Sequence, residues 1–314
     1  MDKKEQTMQK TWVVVLGALF CCALWGSAFP CIKLGYRMFD IASEDVATQI
    51  LFAGCRFTLA GILALIIGSV MNRRVLIPQK KSWDKVLKLC MLQTVLQYLF
   101  FYVGLARTTG VKASIIEGVN VFAAILVASL LYKQEKLTGR KIIGSIIGFA
   151  GVVLVNLTGS GMDLTFTFLG EGFIFFSAIA YAFSSVYMKR YSAEEDPVTL
   201  SGWQFFVGGL IMVACGLLAG GRIGTWSAQG IAMLIYLAMV SAVAYSLWGI
   251  LLKYNPISKV AVFGFMNPVF GVILSAILLG ESDSVGVMSA AALVLVCIGI
   301  FVVNHGKTNG GCKE

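Results

Sequence analysis

Ten long apolar segments take up nearly all of the 314 residues. We place them at 12–34, 46–71, 86–106, 110–132, 138–157, 169–190, 198–220, 228–252, 257–280 and 285–304. A helix that crosses the hydrocarbon core of a bilayer needs about 20 apolar residues, and each segment is of that length. The runs are continuous and lack the period-2 alternation of a transmembrane β-barrel. Charged residues make up only 13% of the chain, against roughly a quarter in soluble domains. The first run is too long for a signal-peptide core and has no clear cleavage site, so it is expected to remain as a helix.

The formal net charge is +9, and its placement gives it meaning. With the N-terminus inside, nineteen of the 25 basic residues lie on the cytoplasmic side, in the gaps or at the span ends that border them, from Lys3, Lys4 and Lys10 through 73–88 and 133–141 to Lys307 and Lys313. Lys33, Arg37, Arg107, Lys112 and Arg222 fall outside, and Arg56 lies within a span. Such a bias sets orientation. It predicts a multi-pass protein of the plasma (inner) membrane with both termini cytoplasmic. The cations then meet membrane lipids, and nucleic acid is not an expected partner. The eight cysteines form no CxxC, and all but Cys312 lie in apolar runs, where cysteine acts as a small hydrophobe. No disulfide or metal is expected. With no HExxH, Walker lysine motif or GxSxG, neither an enzyme nor a cofactor is expected.

The chain also repeats itself. Residues 102–156 are similar to 248–304, at an offset of about 146. Asn120-Val121-Phe122 aligns with Asn267-Pro268-Val269-Phe270, Glu135 with Glu281, 107–110 with 253–256, and 25–33 with 181–189. Each half holds five spans, and an odd number turns the second half upside down. The charges agree: Lys133, Lys136, Arg140 and Lys141 follow the fourth span, whereas 281–287 holds no basic residue. The predicted fold is an all-α integral membrane protein of ten transmembrane helices. It is built as two inverted five-helix repeats, 1–157 and 158–314, around a central cavity. Inverted repeats are a signature of secondary transporters, with the site near the midplane.

Four motifs add a resemblance: Leu24-Trp25-Gly26-Ser27-Ala28-Phe29 with Lys33, Arg56-Phe57 with Ala60, Asn267-Pro268-Val269-Phe270, and Leu279-Gly280-Glu281. Over 12–304 the chain resembles the EamA-like members of the drug/metabolite transporter superfamily. The resemblance implies a ten-helix carrier that works by alternating access and exports amino acids or other small metabolites. The first repeat lacks the proline of the second, which leaves the symmetry of the two kinks open.

Polar groups at mid-membrane depth are costly and tend to face protein or water, so they lead the search for a site. Arg56 suits a carboxylate or phosphate, and Glu117 an amine or a proton. The two sit at comparable depth, so a structural ion pair is the competing reading. Asn120 lies one turn from Glu117, and Asn267 comes in from the opposite side beside Pro268, whose missing donor frees a carbonyl. Trp25, Tyr98, Tyr102 and Trp248, with Tyr181 in the place corresponding to Trp25, suit the walls of a cavity for a small-molecule substrate. Ordinary helix packing explains any one of them equally well. Gly144, Gly148 and Gly151 are small-residue packing positions, either helix contacts or the seam of a homodimer. An exchanger of phosphorylated or nucleotide-linked metabolites would want a basic cluster, and only Arg56 is available. A lipid scramblase, receptor or assembly scaffold is the reading from another class.

Overall fold

The computed structural model describes residues 3–108, 110–156, 166–279 and 287–305. Among them there is no strand. The chain opens with a short α1 (Lys3–Gln9), then α2 (Thr11–Met38) and α3 (Val46–Asn72). Next come α4 (Trp83–Leu89), a π-helical stretch (Cys90–Leu96) and α5 (Gln97–Leu105). α6 (Gly110–Glu117) and α7 (Val119–Leu126) lead through a second π stretch to α8 (Gly139–Asn156). The second half holds α9 (Phe173–Tyr191), α10 (Pro197–Leu218), α11 (Ala228–Tyr254), α12 (Ile257–Ala261), α13 (Met266–Leu279) and α14 (Val287–Asn304).

Local chemistry starts these helices where they start. Asp45 accepts from Thr48 N at 3.0 Å, and Ser227 from Gly230 N at 3.0 Å. Asp196 accepts from Val198 N and Thr199 N, with Pro197 opening the helix. Each cap satisfies a backbone donor that the helix leaves free.

Seven helical runs among the described residues are long and apolar enough to cross a membrane. They are Thr11–Met38, Val46–Asn72, Lys80–Leu105, Phe168–Tyr191, Pro197–Leu218, Ala228–Tyr254 and Ile257–Leu278. Two further apolar helices, Ile115–Leu131 and Ala290–Asn304, are shorter. The first of these belongs to a segment whose helix is interrupted at Gly118. α8, in the place of the fifth expected span, carries Arg140 and Lys141 in its first turn.

The surface is apolar and the interior is partly polar. Trp12 and Leu16 on α2 are each 60% exposed, and Val70 and Met71 on α3 more so. Arg56, Gln93, Gln204 and Ser241 are buried. That distribution suits lipid, not water, as the surrounding solvent.

Close packing relies on glycine. α3 lies along α10, and a Cβ on Gly54 would stand 2.5 Å from Val213 N, one on Gly216 2.6 Å from Leu51 N. α8 lies along α14 in the same way: a Cβ on Gly144 would meet Val303 Cγ2 at 2.7 Å, and one on Gly299 would meet Gly148 N at 2.6 Å. Gly144 and Gly151 therefore pack against α14 of the same chain, and Gly148 against Phe265. They are helix contacts and are not free to form a seam with a second copy.

Candidate functional site

Two interrupted helices position the site. Between α6 and α7 the ladder slips at Gly118, whose N–H bonds back to Ile115 O at 3.1 Å. α13 is preceded by a 3₁₀ turn (Val262–Phe265) and has Pro268 in its first turn, where a missing donor costs little. One break uses glycine and the other a tightened turn before proline, so the α-helix is interrupted in both places. Asn120 is the second residue of α7 and Asn267 the second of α13.

Both asparagines line one small enclosed cavity, together with Trp25, Tyr181 and Trp248. Ala124, Ser185, Ala261 and Gly264 complete its wall. Its volume is about 10 Å³, room for roughly one water. A metabolite does not fit in it. Trp25 Nε1 and Asn267 Oδ1 are buried without a hydrogen-bond partner, a donor and an acceptor left open on cavity-lining side chains. Buried polar groups without partners are rare and call for an explanation. Trp25 is held edge-on against Tyr245 and Trp248, each at 5.0 Å between ring centroids.

The other four candidates lie beside this cavity. Tyr98 and Tyr245 join their hydroxyls at 2.9 Å. Tyr98 also packs on Phe57 at 4.4 Å, and Tyr102 is buried in the same cluster. Arg56 and Glu117 form no ion pair. Arg56 instead donates to α11, through Nε to Leu237 O at 3.3 Å and through Nη2 to Ser241 Oγ at 2.8 Å. Glu117 has Ser177 and Asn120 as polar neighbours, and its Oε1 is buried without a partner. Equal depth along two helices did not bring the two residues together, because depth says nothing about which way each helix faces. Gln93 accepts from Gln204 Nε2 at 3.1 Å and so ties its helix to α10.

One end of the bundle is tied shut by polar contacts between distant segments. Glu135 accepts from Ser258 N at 3.0 Å and from its hydroxyl at 2.7 Å, and Lys141 stands 3.2 Å away. Lys189 donates to Leu252 O and Asn255 O. Asn255 Nδ2 donates to Met8 O. Lys85 meets Glu194 at 2.6 Å, and this hydrogen-bonded ammonium holds the Glu194 carboxyl below its ordinary range. Glu135 thus anchors a helix start; its sequence counterpart Glu281 lies outside the described residues, as do Cys312, Lys307 and Lys313.

Sequence reasoning passed over Tyr245, Ser241 and Ser185. A signal for Tyr245 was present: it stands three residues before Trp248, on the same face of the helix. Ser241 and Ser185 carry no pattern that separates them from the other serines in apolar runs.

An apolar-surfaced bundle of helices around a small polar chamber defines a polytopic membrane protein. The family model of the EamA-like transporter family matches residues 12–157 and 168–305. The chain belongs to that family, and it is a membrane transporter. It is 26% identical over 301 residues to the "Uncharacterized transporter YvbV" of Bacillus subtilis (strain 168), covering 95% of this chain and 93% of the relative. It is 24% identical to the "WAT1-related protein At3g02690, chloroplastic" of Arabidopsis thaliana, covering 95% and 70%. A solved crystal structure matches with a TM-score of 0.75 over 93% of this chain and 96% of its own, at 16% identity; that likeness speaks for the fold alone.

Proposed function

We propose that this chain is a secondary transporter, an exporter of small organic solutes such as amino acids or related metabolites. It works by alternating access in the plasma membrane, with both termini in the cytoplasm. The observation that carries this reading is the composition of the cavity. It is lined by residues that the internal repeat pairs, Trp25 with Tyr181 and Asn120 with Asn267. A chamber walled by corresponding residues of two inverted halves is where rocking of one half against the other exposes a solute first to one side, then to the other.

The packing supports two five-helix repeats. α2 packs on α11 and α13, and α9 packs on α5 and α7. In the repeat α9 corresponds to α2, α11 to α5 and α13 to α7, so exchanging the halves turns one set of contacts into the other. The two largest contacts, α3 with α10 and α8 with α14, join corresponding helices directly, while α3 also packs on α11 and α10 on the π-helical stretch before α5.

In this reading the Glu135–Ser258 tie belongs to a closed cytoplasmic end, and the cavity is in its shut form. A solute shifts the balance only by binding one state better than the other. The open Trp25 donor and Asn267 acceptor supply such a difference, because they gain partners only when a solute is present. Glu117, beside Asn120, is the candidate for proton coupling.

The test uses purified protein in sealed lipid vesicles and a panel of radiolabelled amino acids and small metabolites. At least one should move faster than in empty vesicles. Transport of none across the panel overturns the reading. Single cysteines placed in 133–141 and in 281–287 should be labelled from opposite faces; labelling from one face overturns the inverted arrangement.

A further inference from the structure

A second hollow lies on the outer side of the bundle, away from the polar chamber. α2 and α14 each pack on α13 and on the 3₁₀ turn before it, and the face between them is left open. The groove there has a volume of about 360 Å³, within the range of sites that hold small molecules. Leu19 lines it from α2, Ile300 and Phe301 from α14, and Phe263 and Phe270 form its floor. On α2 the lining runs from Thr11 to Leu19, about 12 Å at 1.5 Å per residue.

Its polar side chains gather at one end. They are Thr11, Lys259 and Asn304, the first residue of α2, the third of α12 and the last of α14. This is the end of the bundle that carries the Glu135–Ser258 tie. Lys259 is half-buried. Its Nζ donates to Gln9 O at 3.2 Å and to Asn255 Oδ1 at 3.3 Å. Both oxygens are neutral, and an ammonium has a third donor to give. Among the described residues no carboxylate stands within ion-pair distance of it. Lys10, exposed, immediately precedes Thr11, so the mouth of the groove is basic. Asn304 Oδ1 is buried there without a hydrogen-bond partner.

An apolar slot with a basic mouth where the helices reach the membrane surface matches an amphiphile with an anionic head. Lysine lays its stem along apolar surface and keeps its ammonium at headgroup level, where it attracts anionic lipid. We infer that this groove binds an anionic glycerophospholipid, with the phosphate on Lys259 and one acyl chain along Leu19, Phe263 and Phe270. The inference rests on the chain being embedded in a membrane and not on which solute it moves. A soluble organophosphate would leave the apolar walls uncovered. The lipid would also touch the moving parts. Phe270 lies three residues after Asn267, and its Cβ is 2.5 Å from where a Cβ on Gly26 would stand. The acyl chain therefore lies against the back of the helix that brings Asn267 to the cavity.

The experiment is native mass spectrometry of the delipidated full chain in detergent, titrated with phosphatidylglycerol and with phosphatidylcholine of identical acyl chains. Phosphatidylglycerol should add one molecule saturably, at a concentration about fivefold or more below phosphatidylcholine. Lys259→Gln should bring the two lipids level. Lys81→Gln, at an exposed lysine in the loop before α4, should leave the preference unchanged. Cys297→Trp fills the slot from an exposed position on its wall and should weaken phosphatidylglycerol binding about tenfold or more, since each buried methylene contributes. Equal binding of the two lipids by the wild type overturns the inference, whether or not any variant folds. So does a preference that survives Lys259→Gln, a preference that Lys81→Gln reduces as much, or wild-type affinity in Cys297→Trp. sn-Glycerol 3-phosphate that competes as well as the whole lipid makes this a soluble-anion site and overturns the lipid assignment. A lipid-free dimer that Cys297→Trp abolishes gives the groove to a second copy of the chain and overturns it too.

Discussion

The hydroxyls of Tyr98 and Tyr245 meet 2.9 Å apart across 147 positions of sequence. The pair joins α5 to α11 beside the cavity. Tyr98→Phe or Tyr245→Phe should leave the other hydroxyl buried and short of a partner, and cost about 1–3 kcal/mol. The double variant should lose less than the sum of the two. Thermal unfolding of the four proteins measures this coupling, and simple additivity would mean that the contact contributes nothing.

Trp25 gives a contrasting case. Its Nε1 is buried without a partner, so Trp25→Phe removes an unsatisfied donor and little else of polar character. Folding stability should fall by no more than about 1.5 kcal/mol for the lost ring volume. Solute-dependent stabilisation should drop, since a donor open to the solute is gone. Stability measured with and without the transported solute separates the two effects.

The α3–α10 seam should tolerate almost no added volume. A Cβ at Gly54 would stand 2.5 Å from Val213 N, a backbone atom that cannot swing aside. Gly54→Leu should destabilise by about 1–3 kcal/mol or more, seen as a lowered Tm and early aggregation on size-exclusion chromatography. Gly139→Ala, where nothing lies within 4 Å of the added atom, is the matched control.

Glu135 and Ser258 form two hydrogen bonds across 123 positions of sequence. Ser258→Ala removes the hydroxyl bond and Glu135→Ala removes both, so the second should loosen this end more. A cysteine introduced at Ala261, on the cavity wall, should react faster with a cytoplasmic thiol reagent in both variants. Equal labelling in wild type and variants would mean that the tie does not govern access.

Glu117→Gln should flatten the pH dependence of solute flux while leaving the unfolding free energy within about 1 kcal/mol of wild type, because the amide keeps the shape of the carboxyl and Oε1 makes no hydrogen bond that would be lost. A pH profile identical to that of the wild type removes Glu117 as the proton site.

Sequence alone settled the solvent and the helical secondary structure. Apolar run length and a low charge content leave helices as the economical way to satisfy the backbone in lipid, and no strand occurs among the described residues. The repeat marked Asn120 and Asn267, Trp25 and Tyr181, which line the same cavity. What helical period and depth could not supply was azimuth, the direction in which each side chain leaves its helix once the bundle packs. Tertiary packing turned Arg56 toward Leu237 and Ser241 on α11 and set Glu117 against Ser177 and Asn120. It also joined Gly144 to α14 within the chain. These outcomes depend on contacts between segments far apart in sequence, and a single chain read one residue after another holds no record of them.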